Sequence, residues 1–372
     1  MTHKERFIAT VERRPVDRPA SWLGLPVAGA LPALYRQFGV KDIIGLKSAI
    51  NDDVWPVEVP YDDPPADHIA CAFNFAVDTA AYEERTLTAR GFFADRTDVR
   101  DVAKFTWPDP AEHMSTAACK AALADVPPGY AVMGILWSAH FQDTCAAFGM
   151  ENALMTMLTE PRMFKAVDDR VTEFYLTANK IFFEATIGRL DAVLIGNDLG
   201  SQTGLMLSPE MIREHVLPNA KRLIAQAKSY GVKVVYHSCG SICPVIDDLI
   251  KAGVDVIHPI QALAAGMSPG GLKDSYGTRT AFCGGVDAQE LLVRGTPDAV
   301  TAKVRELKAI FPTGLVISPS HEAILPDIAP ANIEALFNEA EKHSPPPPAP
   351  PPLSQRSERG GGEEKNRSED RK

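Results

Sequence analysis

Apolar and polar positions alternate along this chain with two periods. Short β-branched runs, each about one strand long, are followed by longer stretches in which apolar residues return every three or four positions. After residue 130 the runs are YAVMGILWS (130–138), LDAVLIGND (190–198), VKVVYHSC (232–239), VDVIHPI (254–260), TAFCGGVD (280–287) and LVISPSH (315–321). Two earlier runs, RPASWLGL (18–25) and DDVWPVEVP (52–60), bring the strand candidates to eight. Amphipathic stretches lie between them. One spans 209–231, with Pro209 just inside its start and Gly231 at its end; another spans 296–312, where Thr296 stands as N-cap before Pro297. Such a strand-helix repeat builds a parallel sheet. Eight units predict an α/β fold of the closed (β/α)8 TIM barrel type rather than an open sheet. Segment 61–125 fits the repeat least well and is expected to hold an insertion.

A chain of 372 residues with 45% hydrophobic content suffices for one such barrel, so a single catalytic domain is expected over 1–343. From residue 344 the composition turns to SPPPPAPPPLSQRSERGGGEEKNRSEDRK, which cannot bury enough apolar surface to offset its ordering entropy. A disordered tail is expected over 344–372. The formal net charge of −10 gives no electrostatic reason to approach nucleic acid or an anionic membrane. The N-terminal stretch lacks the apolar core of a signal peptide and no run is long enough for a membrane span, so a cytoplasmic protein is expected. In a domain this large the six scattered cysteines read as reduced thiols.

Chemistry in a TIM barrel gathers at the C-terminal ends of the strands, and this chain places its unusual polar groups there. Asn197 and Asp198 close one strand, His237 and Cys239 the next, His258 and Gln261 the one after; Asp287 follows Gly284-Gly285, and His321-Glu322 end the last. His237 and Cys239 are two apart, so both side chains can converge on one ion or one substrate atom. Several of these residues have two readings. Asp198 is either a cap or a metal-site acid, and Asp287 either orients a histidine or caps the helix from Ala288. His258 precedes a proline and either bonds the backbone or touches substrate, as the Gln261 amide also can. Glu322 is a general acid or base, or a solvated loop carboxylate. Cys243 packs at a helix start, and Trp137 and His140 are candidates to wall the pocket.

The segments GNDLGSQTGLMLSPEMIREHVLP (196–218), HSCGSICPVIDDLIKAGVDVIHPIQ (237–261), GMSPGGLKDSYG (266–277), FCGGVDAQELLVRGTP (282–297) and SPSHEAILPDIAPANIEAL (318–336) occur in that order, after ERRPVDRPA (12–20). In this succession the chain resembles the uroporphyrinogen decarboxylase superfamily, and its corrinoid-dependent methyltransferase branch more closely than the true decarboxylases. The resemblance implies a TIM barrel. It implies Zn2+ on a His-x-Cys pair, matched by His237 and Cys239, with His321 as the third metal ligand at the place of the family's distant cysteine. Asp198 then serves as a further ligand or a base. It also implies a small methyl donor or thiol acceptor, methylcobalamin or cob(I)alamin carried by a partner corrinoid protein, and a homodimer, as several relatives form. Gln261, His258 and Asp287 are the candidate cofactor contacts, and Asp198 and Glu322 the candidate catalytic residues.

Three functions follow as expectations. A zinc-dependent methyltransferase needs a metal site and a wide cavity. Decarboxylation of a tetrapyrrole or other polycarboxylate needs a cationic pocket, for which Arg18, Arg36 and Arg279 are the residues to examine; the region WLGLPVAGALPALYR (22–36) is apolar where the decarboxylases are basic. A non-catalytic corrinoid- or tetrapyrrole-binding barrel needs neither.

Overall fold

The computed structural model describes residues 1–63, 68–77 and 87–343; the tail expected from residue 344 lies outside the described residues. Every apolar run of the repeat contributes a strand. In chain order these are β1 (Leu25–Pro26), β2 (Val54–Glu58), β3 (Ala131–Trp137), β4 (Ala192–Gly196), β5 (Lys233–His237), β6 (Val256–Ile260), β7 (Ala281–Val286), β8 (Leu315–Pro319) and β9 (Ala323–Ile324). Strands β2 to β8 pair in sequence order, all parallel. Residues 20–22 close the ring. Ile317 N–H donates to Ala20 O (2.8 Å) and Trp22 N–H to Ile317 O (3.0 Å) on one side, while Asp53 N–H donates to Ser21 O (2.9 Å) on the other. The molecule is therefore a (β/α)8 barrel, with β1 and β9 pairing in parallel.

The two-residue period sorts side chains between two cores. Trp22, Val54, Met133, Leu194, Val235, Val256 and Val316 fill the inside of the ring, where Phe7 and Val11 of the helix His3–Val11 join them. Their neighbours Val193, Val234, Tyr236, Ile257, Phe282 and Ile317 belong to the outer core shared with the helices. Each such burial contributes about 1.5–3 kcal/mol. The same parity turns His237 and His258 inward, two residues beyond Val235 and Val256.

The helices follow the expected signals with one departure. Ser208 and Thr296 accept backbone N–H bonds as N-caps ahead of Pro209 and Pro297. The 209–231 stretch is not uniform, because a π turn at Ile212–Val216 precedes the helix Leu217–Ser229. Pro218 lacks the N–H that a regular turn would send back, and the widened turn accommodates that gap. Between β2 and β3 the described part of the expected insertion holds only short helical pieces, at Ile69–Cys71, Val99–Lys104, Pro110–His113 and Thr116–Ala121, and Phe73, Phe75, Phe93, Phe105 and Trp107 pack ring against ring there. Among the described residues no helix is long and apolar enough to cross a membrane.

An ion network ties the N-terminal helix to the ring. The buried Asp53 accepts from Arg6 Nη1 (2.7 Å), Arg18 Nη1 (2.7 Å) and Ser21 N–H (2.8 Å), and Arg6 also forks onto Asp17 through Nε and Nη2 (2.8 Å each). Arg6 holds the Asp17 carboxyl well below the usual carboxylate range. Burial would raise Asp53, but His3 and Arg18 outweigh it and lower it. Both groups thus titrate lower folded than unfolded, so their contribution is complete above about pH 4 and is lost as the pH falls through that range. Asp53→Asn should cost about 3 kcal/mol at neutral pH and should flatten the acid-induced fall of the urea midpoint. Equal acid slopes in the two proteins would contradict the role given to Asp53.

Candidate active site

The loops after β4 and β5 build the site because they lie backbone against backbone. A Cβ on Gly240, whose φ is +80°, would come within 2.6 Å of the Gly200 carbonyl carbon. With no side chain in the way, Asp198 reaches across and its Oδ1 accepts the Cys239 N–H at 2.9 Å. The Asp198 carboxylate thus binds the backbone of the neighbouring loop and not its own following turn. Parallel register sets Gly196, His237 and His258 side by side across β4, β5 and β6.

These neighbours form a compact donor set. His237 Nε2 lies 3.5 Å from Cys239 Sγ and 3.3 Å from Asp198 Oδ1. An ion held tetrahedrally by nitrogen, sulfur and oxygen at ordinary zinc distances separates N from S by about 3.6 Å and N from O by about 3.4 Å. Two of the three separations in the donor set are therefore of the size that a tetrahedral zinc site has. Two further groups share members with this one: His237, His258 and Glu322, and Cys239, His321 and Glu322.

Proton placement follows from burial and neighbours. Burial would depress His237, but the Glu322 charge, Asp198 and Cys239 outweigh it and lift its pKa well above the ordinary imidazole value. Burial, with His237 and His321 nearby, pushes His258 well below that value. The two Nδ1 atoms are 3.0 Å apart, so neutral His258 accepts and His237 donates, which directs His237 Nε2 toward Cys239 and Asp198. Burial would raise the Cys239 thiol, yet hydrogen bonds from His237 and His321 bring it below the usual range. Burial opposes ionisation of Asp198 as well, and the His237 hydrogen bond overrides it, lowering that carboxyl. Glu322 Oε2 is buried, accepts no hydrogen bond, and stands 3.5 Å from His237 Nδ1 and 3.6 Å from His321 Nδ1.

His321 faces Cys239 with a particular polarity. The Ala323 N–H donates to His321 Nδ1 at 3.0 Å, so the ring's proton resides on Nε2. In this orientation the ring is a hydrogen-bond donor to the thiolate.

The site opens into a cavity of about 430 Å3 lined by Leu25, Pro26, Val27, Glu58, His68, Trp137, Ala139, Gln142, Gly196, Asp198, His237, Glu322 and Ala323. Trp137 (φ +53°) and Ser138 (φ +51°) occupy the left-handed region at the end of β3, next to an irregularity in its pairing with β4. This kink brings the Trp137 indole edge-on to His237, with ring centres 5.7 Å apart.

The remaining expected residues have other partners. Gln261 Oε1 accepts Gly240 N–H at 2.6 Å and so pins the β5 loop. The Asp287 carboxylate accepts the N–H groups of Gln289, Glu290 and Leu291, the capping alternative, and does not join the cluster. His140 is fully buried against Asp168 (2.7 Å) and does not wall the cavity, whereas Trp137 does. Cys243 begins a 3-10 turn whose carbonyl accepts from Tyr276 Oη, as expected for a helix start. Sequence reasoning missed Gln142, whose amide clamps Asp198 by donating to Oδ2 (3.1 Å) and accepting its N–H (3.2 Å). It also missed Glu58 and His68. Glu58 carried a usable signal, being the polar last residue of β2.

The fold and site together define a parallel TIM barrel with a histidine-thiol-carboxylate cluster at its C-terminal mouth. The family model described as Uroporphyrinogen decarboxylase (URO-D) matches residues 92–343, and the chain belongs to that family. It is similar in structure to a methyltransferase from Methanosarcina mazei, at 18% identity and TM-score 0.67 over 91% of this chain and 98% of that one. A structure from Listeria monocytogenes provisionally described as a vitamin-B12 independent methionine synthase aligns with TM-score 0.41, 14% identity, and 88% and 95% coverage. No curated protein matches the chain.

In metal-free protein the Cys239 thiolate should persist to lower pH than a free cysteine. Its alkylation by iodoacetamide should show a midpoint below about pH 8.5, and His321→Ala should move that midpoint upward. A midpoint that does not respond to His321 would contradict the hydrogen bond assigned to it.

Proposed function

We propose that this protein is a zinc-dependent methyltransferase that moves a methyl group between a small methylated donor or thiol acceptor and a corrinoid carried by a separate protein. The observation that carries the reading is the spacing of His237 Nε2, Cys239 Sγ and Asp198 Oδ1, which matches a tetrahedral zinc site on two edges. The buried Glu322 Oε2, left without a hydrogen bond, stands against His237 Nδ1 and His321 Nδ1 beside this set, where a proton acceptor is open. Family membership and a fold shared with the Methanosarcina mazei methyltransferase are compatible with it.

Polycarboxylate decarboxylation has no support in the cavity, which no lysine or arginine lines among the described residues. Arg18 is committed to Asp53, Arg36 is exposed on the helix Leu31–Phe38, and Arg279 pairs with Asp247.

His237, Cys239 and Asp198 would hold the metal, and Gln142 fixes the Asp198 carboxylate. His258 accepts from His237 Nδ1 and keeps Nε2 directed inward. His321 donates to the Cys239 sulfur and tempers its charge. Zinc there would supply Lewis acidity, lowering the pKa of a substrate thiol or stabilising a departing thiolate. Glu322, within ion-pair range of His237 and His321, is the base that takes the proton a thiol releases. The partner's corrinoid would supply or take up the methyl group, while His237, Cys239 and Asp198 would hold the zinc that orients the substrate sulfur toward it.

Elemental mass spectrometry should find near-stoichiometric zinc in the purified protein. Cys239→Ala and His237→Ala should lose it, His321→Ala should keep it, and methyl transfer from methylcobalamin to thiols should fall by more than about 100-fold in the first two. No zinc in the wild type after reconstitution under reducing conditions would overturn the reading.

A further inference from the structure

The charge of the cavity has a consequence for the substrate. Its lining carries three carboxylates, Glu58, Asp198 and Glu322, and no lysine or arginine among the described residues. A single divalent ion in the His237–Cys239–Asp198 set leaves this cavity negative. An anionic substrate would meet repulsion across a partly desolvated space, where charges interact more strongly than in water.

Glu58 lies away from the donor set, at the C-terminal end of β2, with its side chain 59% exposed. His68 Nε2 is 3.9 Å from it, too far for a hydrogen bond, so this contact does not saturate the carboxylate. Trp137, held in the left-handed region, offers an indole on the wall of the same cavity. Leu25, Pro26 and Val27 supply apolar surface next to these groups. A carboxylate, an indole and an apolar wall together make a receptor for an organic ammonium rather than for a metal ion.

We propose that the substrate of this cavity is a small thiol, or its methyl thioether, that carries an ammonium group. The sulfur lies toward His237 and Cys239 and the ammonium toward Glu58, with Trp137 beside the connecting carbons. This inference rests on the thiol-methylating function proposed above and adds the charge of the substrate. The ammonium takes no part in bond making; it gains affinity for the molecule whose sulfur gains or loses the methyl group.

Isothermal titration calorimetry on the zinc-loaded full chain tests it with three two-carbon thiols that differ in charge: 2-aminoethanethiol, 2-mercaptoethanol and 2-mercaptoethanesulfonate. The ammonium compound should bind about fivefold to tenfold tighter than the neutral one, and the sulfonate weakest. Glu58→Gln should remove most of the ammonium advantage and leave the neutral thiol unchanged, which separates the carboxylate's effect from differences in thiol acidity. In the wild type the advantage should shrink as salt is raised. Equal affinities for the ammonium and neutral thiols, or an advantage untouched by Glu58→Gln, would overturn this inference and leave the thiol reading standing. Failure of all three thiols to bind zinc-loaded protein would overturn both.

Discussion

Two backbones meet where the loops after β4 and β5 cross, and the rest of the site depends on that closeness. Gly196 faces the His237 carbonyl so tightly that a Cβ there would lie 2.0 Å from its oxygen, and Gly240 meets Gly200 with similar intimacy. Only because those positions carry no side chain can Asp198, from one loop, accept the N–H of Cys239 in the next. The parallel register supplies the other half of the constraint by setting His237 beside His258. Two strand ends thereby deliver an imidazole, a thiol and a carboxylate close together, with His258 behind them on a third. A side chain at either crossing would part the loops and leave the individual residues intact but separated.

The electrostatics follow from that enforced proximity. A buried imidazole, a thiol and two carboxylates could not all keep their ordinary protonation states so close together. His237 is driven toward the charged form and Cys239 toward the thiolate, while His258 is held neutral beneath them. Both shifts favour an imidazolium beside a thiolate. A divalent cation bound there would take the place of the imidazolium proton, and such an exchange would couple metal binding to pH.

Much of this was legible in the sequence because the barrel imposes simple periods. Eight apolar runs became the eight staves of the ring, although residues 18–25 yield only a short ladder at 20–22 and a two-residue extension at β1. The spacing of His237 and Cys239 announced their convergence, and the clustering of polar residues at strand ends announced the face. Strand parity also carried information that went unused. His258 sits two beyond Val256 and therefore points into the ring, where it meets His237 rather than the open rim. Contacts between distant loops left no local trace. Nothing around Gln142 foretells its clamp on Asp198, and nothing in SPSHEAI foretells that the Ala323 N–H fixes the His321 ring. The π turn before Pro218 was hidden because periodicity registers which face is apolar and not how the turn closes.

The central claim is that His237, Cys239 and Asp198 hold one metal ion between them. X-ray absorption at the zinc edge reads the ligands directly. The account predicts a single sulfur scatterer at about 2.3 Å with nitrogen or oxygen neighbours at about 2.0–2.1 Å, and loss of the sulfur shell in Cys239→Ser. A spectrum without sulfur, or with several sulfurs, would contradict it.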